Sequence, residues 1–180
     1  MRVELRPHPD LPNPPPVSIE CTVMRLGLSA LSLMFRLKGD PATLRIPDFG
    51  PRTRADELWR HTCFEAFVKP TQGEAYYEFN CSPSGQWAAY RFDAYRQGMK
   101  DADNIVAVVA RLHDDGLDLI ATIPLDSLPE LAGAWRLGVT AVIEAADGAL
   151  SYWALAHPPG RPDFHHADCF ALEVPAPQAT

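Results

Sequence analysis

Apolar and polar residues alternate along much of this chain, in short segments that end at proline or glycine. In residues 17–23 and 31–37, apolar side chains occupy nearly every second position. Alternation with a period of two puts one set of side chains on a buried face and the other set toward solvent, as in a β-strand. Gly27 lies between the two segments. They therefore predict an antiparallel hairpin.

Further short segments have the same character. We predict a loop over 41–54 with one short edge strand near 43–46, a helical turn over 127–131, and strands over 61–69, 75–81, 86–92, 105–112, 117–123, 135–145, 150–156 and 169–174. Asp115-Gly116 and Asp147-Gly148 suit tight hairpin turns, which need positive φ. We predict an all-β fold with little helix: a two-sheet antiparallel β-sandwich of the jelly-roll or immunoglobulin-like type, with about ten strands.

Length and charge narrow the function classes. The 180 residues suit a single domain spanning residues 1–180, because domains of this size form one core. The net charge is -7 and no basic block occurs, so we expect neither nucleic acid nor membrane as a partner. Residues 1–16 lack the apolar run of a signal peptide, which predicts a cytoplasmic protein. The four cysteines form no CxxC pair and are interpreted as reduced core thiols.

The segment 56–68 contains the first candidate site. On a strand, Glu65 shares a face with Cys63 and Phe67, and a carboxylate on a dry face costs free energy unless it has a partner. Either a neighbouring arginine or tyrosine satisfies Glu65, or this face is a ligand cleft. Trp59 precedes the strand among charged residues, so it could stack on the C–H face of a sugar. The alternative is a tryptophan that plugs the end of the sandwich.

The segment 152–166 contains the second candidate site. It holds His157, His165 and His166 with Arg161 and Asp163, on the kind of loop where binding groups concentrate. Adjacent histidines usually point apart, so a zinc site would need further ligands, and we predict no metal. The alternative is solvated loop histidines. The signatures GxSxG, HExxH and CxxCH and a phosphate-binding loop are absent.

Three strings resemble known families. DELWRHTCFEAFVKP at 56–70, YYEFNCSPSGQW at 76–87 and PDFHHADCFAL at 162–172 resemble the DOMON-like domains and, more distantly, family 9 carbohydrate-binding modules. The resemblance implies a β-sandwich that holds a sugar or a haem in a pocket on one sheet. In the sugar binders a tryptophan and a glutamate six residues later contact the saccharide, and Trp59 and Glu65 match that spacing. Trp153 is the candidate for a second aromatic wall, and Asn80 stands where the sugar binders have an arginine.

The sequence thus favours a non-catalytic module that binds a sugar or another polyhydroxylated small molecule and needs no cofactor. Trp59 and Trp153 would stack on the ligand, and Glu65, Asn80, Arg91 and His165 would complete the site. One alternative is a haem-binding redox module with His165 and either Met24 or Met34 as axial ligands, as the resemblance implies. Others are a hydrolase or lyase that uses Glu65 with His165 or Asp163, and a protein that only docks a partner.

Overall fold

The computed structural model describes residues 1–10 and 13–177, and it is all-β with almost no helix, as predicted. Four short 3-10 turns interrupt the strands, at Pro41–Thr43, Leu58–Arg60, Pro129–Leu131 and Ala167–Cys169. The described strands are β1 (Arg2–Pro7), β2 (Ser18–Leu26), β3 (Ala30–Lys38), β4 (Cys63–Pro70), β5 (Tyr76–Cys81), β6 (Trp87–Phe92), β7 (Lys100–Asp101), β8 (Ala107–His113), β9 (Gly116–Pro124), β10 (Trp135–Glu144), β11 (Leu150–Ala154) and β12 (Leu172–Val174).

All twelve strands belong to one curled antiparallel sheet, rather than to the two separate sheets predicted. Its order is β7-β6-β5-β4-β10-β11-β1-β2-β3-β9-β8, and β12 pairs with β10. Strand β1 joins the two halves, because Leu5 pairs with Ile19 of β2 while Arg6 pairs with Ala154 of β11. The prediction assigned no element to residues 1–16 and missed this strand, which makes the sheet continuous.

Most strand predictions are correct to within a few residues. Two differ. The edge strand expected over 43–46 is a 3-10 turn at Pro41–Thr43, followed by a single bridge between Leu44 and Ala145. The last strand begins at Leu172 rather than at residue 169, because residues 167–169 form another 3-10 turn. Prolines and capping side chains such as Asp40, which accepts a hydrogen bond from the Ala42 N–H, favour these turns.

The main core lies between the two halves of the curled sheet. Phe35 of β3 contacts Phe64 of β4, with 4.9 Å between ring centroids. The four cysteines are buried free thiols, and no helix in the described residues is long and apolar enough to cross a bilayer.

Strands β4, β5, β6 and β10 are buried on both faces, and this positions the candidate site. Their inner faces join the main core. Their outer faces form a second apolar cluster, which Phe164 and Phe170 cover from the segment after β11; the cluster also includes Phe67, Tyr76, Ala88, Tyr90, Phe92, Val142 and Ala154. The near-continuous apolar runs of these strands reflect burial on two sides.

We expect Phe35→Ala to lower the free energy of unfolding by about 3 to 5 kcal/mol, because it leaves a cavity between the two halves of the sheet. Urea unfolding monitored by circular dichroism measures the change. Met34→Ala is the matched control, since Met34 is the neighbouring residue on the exposed face of β3; its effect should stay within about 0.5 kcal/mol. Equal effects of the two substitutions would contradict the placement of the core.

Candidate functional site

A cavity of about 400 Å³ lies over the second apolar cluster, on the outer face of β4, β5, β6 and β10. Three segments outside the strands enclose it: the turn with Trp59, the loop with Arg96 and Met99, and the segment with Pro162, Phe164 and His165. The remaining lining side chains come from the sheet: Glu65, Phe67, Glu78, Tyr90, Phe92, Val142 and Tyr152. This volume suits a small molecule rather than a macromolecule.

Aromatic side chains form most of the cavity walls. Trp59, which is half-buried, meets the ring of Tyr90 edge-on at 6.1 Å between centroids. Tyr152 and Phe164 make a similar contact at 6.0 Å on another side. The Tyr90 hydroxyl donates to Asp56 Oδ1 at 2.6 Å, which fixes the ring. The site therefore offers fixed aromatic surface to an apolar face of a ligand.

Two buried carboxylates complete the lining. Glu65 and Glu78 are 3% and 6% exposed, and their register places them diagonally on the adjacent strands β4 and β5. Glu65 Oε2 accepts a hydrogen bond from Thr140 Oγ1 at 3.0 Å, and Glu78 Oε1 accepts one from Asn80 Nδ2 at 2.8 Å. Both donors are neutral, so neither carboxylate has an ion-pair partner of full charge in direct contact with it.

Burial changes the acidity of this pair. Loss of hydration raises the pKa of Glu65 above its ordinary value, and repulsion from Glu78 raises it further. Burial likewise raises the pKa of Glu78. Since the two acids titrate together, the pair holds onto a proton at pH values where an exposed glutamate would have lost it.

His165 is neutral at the cavity wall. Burial, with a contribution from Arg96, lowers its pKa to about 4. The Arg96 backbone N–H donates to Tyr76 Oη at 3.2 Å, and the Tyr76 hydroxyl is hydrogen-bonded to His165 Nδ1 at 2.8 Å. The other ring nitrogen, Nε2, is 3.7 Å from Glu78 Oε2. This approach is therefore a polar contact to a neutral imidazole and not an ion pair.

Asp163 links the segments that cover the cavity through hydrogen bonds to Tyr95, Arg96 and the His165 backbone, and we call these contacts the latch. Asp163 Oδ1 accepts from Arg96 Nη2 at 2.8 Å and from the His165 backbone N–H at 3.1 Å, and Asp163 also accepts from Tyr95. Arg96 adopts a left-handed backbone with φ of 54°, which is uncommon for a residue with a Cβ atom. The latch neutralises the Arg96 guanidinium and holds the loop over the sheet.

The structure brings together three of the predicted site residues and separates the others. Trp59, Glu65 and His165 line the cavity, and Asn80 supports Glu78. Trp153 corrects the prediction: it is 4% exposed in the main core, and its indole N–H donates to Ser151 Oγ at 2.9 Å. Its neighbour Tyr152 is the wall instead, because adjacent strand residues point to opposite faces.

Arg91 is also corrected. It is on the other face of β6 from Tyr90 and binds Asp93 and Glu130. Arg96, in the loop after β6, is the cation that lines the cavity. Sequence reasoning also missed Glu78, Tyr90 and Phe164. Glu78 could have been found, because its spacing of two from Tyr76 and from Asn80 places the three side chains on one face of β5. Arg96 could not, because no sequence pattern locates a loop arginine over a sheet.

The residues do not fit the haem or the acid–base alternatives. Met24 and Met34 are exposed and do not line the cavity, so they cannot pair with His165. Both ring nitrogens of His165 face protein partners, Tyr76 and Glu78. The carboxylate beside His165 is Glu78 rather than the predicted Glu65, and Asp163 is bound by Arg96. In the described part of the chain, no three His, Cys, Asp or Glu side chains could hold a metal ion.

Comparisons of the whole chain with solved structures agree on the fold. A candidate carbohydrate-binding protein from Bacteroides uniformis has a TM-score of 0.68 and 20% identity, over 94% of this chain and 83% of that chain. A family 9 carbohydrate-binding module from Caldicellulosiruptor kristjanssonii in complex with glucose has a TM-score of 0.59 and 14% identity, over 99% and 86%. The fold is similar to that of carbohydrate-binding modules.

A structure of such a module from the same organism with cellotriose has a TM-score of 0.53 and 15% identity, over 88% of this chain and 75% of that chain. No family model matches the chain, and no curated protein matches it. The resemblance to family 9 modules is thus supported at the level of fold, whereas the resemblance to DOMON-like domains stays a prediction.

The buried acid pair predicts a pH-dependent stability. An acid whose pKa is higher in the folded state stabilises the fold below its unfolded value of 4.5 and loses that contribution as pH rises through the folded value. Glu65→Gln should therefore unfold at higher urea concentration than the native chain at about pH 8, with the difference shrinking toward about pH 5. Glu74→Gln, at an exposed carboxylate, should show no such pH-dependent difference. If the stability of Glu65→Gln differed from that of the native chain by the same amount at every pH, the raised pKa of Glu65 would be contradicted.

Proposed function

We propose that this protein is a non-catalytic module that binds a sugar or a related polyhydroxylated small molecule in the cavity over the outer face of β4–β6 and β10. The observation that carries the proposal is the combination of aromatic walls with buried hydrogen-bonding groups. Aromatic rings such as Trp59 and Tyr152 pack on the apolar C–H face of a pyranose. The hydroxyl groups around its edge need donors and acceptors at fixed positions.

The polar groups match this requirement. Glu65 and Glu78 offer oxygens that accept hydrogen bonds, and the proton that the pair retains makes one of them a donor as well. The Arg96 guanidinium adds donors at the wall, and the His165 imidazole adds a further polar group. The likeness of the fold to modules whose structures contain glucose and cellotriose supports the same proposal, although the identity of the ligand rests on this chain's own residues.

For His165 and Asp163, a binding role suits the chemistry better than hydrolysis. General acid–base catalysis requires a group that gives up a proton and one that accepts it near the reacting bond. Here His165 is held neutral by burial and hydrogen-bonded to Tyr76, and Asp163 is engaged in the latch. These side chains position and shield a ligand, and we propose that they do not transform it.

The proposal predicts that Trp59→Ala weakens sugar binding about 30-fold or more, since removing a central aromatic contact costs ~2 kcal/mol. Isothermal titration calorimetry with glucose, cellobiose and cellotriose measures the change. Tryptophan fluorescence provides a second readout, because Trp59 lines the cavity whereas Trp87, Trp135 and Trp153 are buried in the main core.

Phe49→Ala is the matched control, because Phe49 is an exposed aromatic residue outside the cavity. It should leave both affinity and the fluorescence response unchanged. Absence of binding across a panel of mono- and disaccharides, in calorimetry and in fluorescence, would overturn the proposed function.

A further inference from the structure

Two buried acids line the cavity, and no lining cation is in direct contact with either of them. Glu65 and Glu78 are more than nine-tenths buried, and each has one carboxylate oxygen bound to a neutral donor. Their other oxygens, Glu65 Oε1 and Glu78 Oε2, have no hydrogen-bond partner in the described residues, and neither atom is fully shielded from solvent. They therefore remain accessible from the cavity that both side chains line.

No lining side chain compensates these acids directly. Arg96 is the lining residue with a permanent positive charge, and its guanidinium is paired with Asp163 at 2.8 Å; it lowers the pKa of Glu78 only through space, without a direct contact. His165 is neutral, and the hydroxyls of Tyr76 and Thr140 are neutral donors. A buried carboxylate without a cation is costly. A positive group on the ligand would supply the partner that favours the ionised form of these acids.

The walls favour the same kind of group. An ammonium ion is attracted to the negative faces of aromatic rings, and the attraction is strongest for tryptophan and for sites shielded from water. Trp59, Tyr90, Tyr152 and Phe164 surround the cavity beside the two carboxylates. Aromatic walls with acids at one side form the arrangement that recognises organic cations, whereas uncharged hydroxyls need only neutral donors and acceptors.

We infer that the cavity selects an amino sugar whose free amine binds as an ammonium group between Glu65 and Glu78, with the sugar ring against Trp59. This inference rests on the proposed function and deepens it by naming the class of sugar. The ammonium supplies three donors, of which two can reach the two unpaired carboxylate oxygens. Its positive charge favours the ionised form of both acids.

The test compares three probes of the same ring size, D-glucosamine, D-glucose and N-acetyl-D-glucosamine, by calorimetry at about pH 6, where an aliphatic amine is protonated. We expect glucosamine to bind at least about ten times more tightly than glucose, as expected for a charge pair in a shielded site. N-acetylglucosamine lacks the charge and should lose this advantage.

Glu78→Gln and Glu65→Gln keep the side-chain shape while removing one negative charge. Each should reduce glucosamine affinity about ten-fold or more with a smaller effect on glucose, and Glu74→Gln should change neither. Circular dichroism confirms that the variants fold. Binding of glucose with an affinity equal to or above that of glucosamine would overturn the inference and leave the proposed function standing. Failure of all three sugars to bind would overturn both.

Discussion

Burial on both faces of β4, β5, β6 and β10 is the constraint on which the rest of this structure depends. A strand that packs on one side only can put every polar residue into solvent, but these strands cannot, because their outer faces carry a second apolar cluster under the segment with Phe164 and Phe170. Any polar side chain on that face must find a partner inside the protein or meet a ligand. Glu65 and Glu78 are such residues.

Glu65 and Glu78 lower the stability of the folded protein and provide the polar groups of the cavity. An apolar side chain at either position would extend the second cluster and gain roughly 1.5 to 3 kcal/mol on burial, whereas a carboxylate gains stability there only by keeping its proton. Thr140 and Asn80 provide one hydrogen bond to each acid. The latch between Asp163 and Arg96 confines the nearest full positive charge to its own partner. Departures from good packing that are held in place by neighbours in this manner are typical of functional sites.

The sequence predicts the strands well because alternation and turn residues are local signals. It identifies Trp59, Glu65 and His165 as cavity residues, although the role of each in binding stays a prediction. The sequence does not predict which face of β11 points to the cavity. Both faces of that strand carry apolar residues, so no local signal shows that Tyr152 rather than Trp153 lines the cavity. The sequence also fails for Arg96, whose place follows from a loop and a left-handed backbone. The continuity of the sheet depends on β1, whose pairing partners are remote in sequence.

That remoteness has a consequence for how the chain acquires its structure. Arg6 pairs with Ala154, while its neighbour Leu5 pairs with Ile19, so one edge of β1 pairs with a strand close by in the chain and the other edge with a strand far along it. Closing so long a loop is entropically slow. In the interval, the exposed edge of β1 and β11 invites pairing with other chains. Until β1 pairs with β11, this edge of the sheet therefore exposes the protein to aggregation.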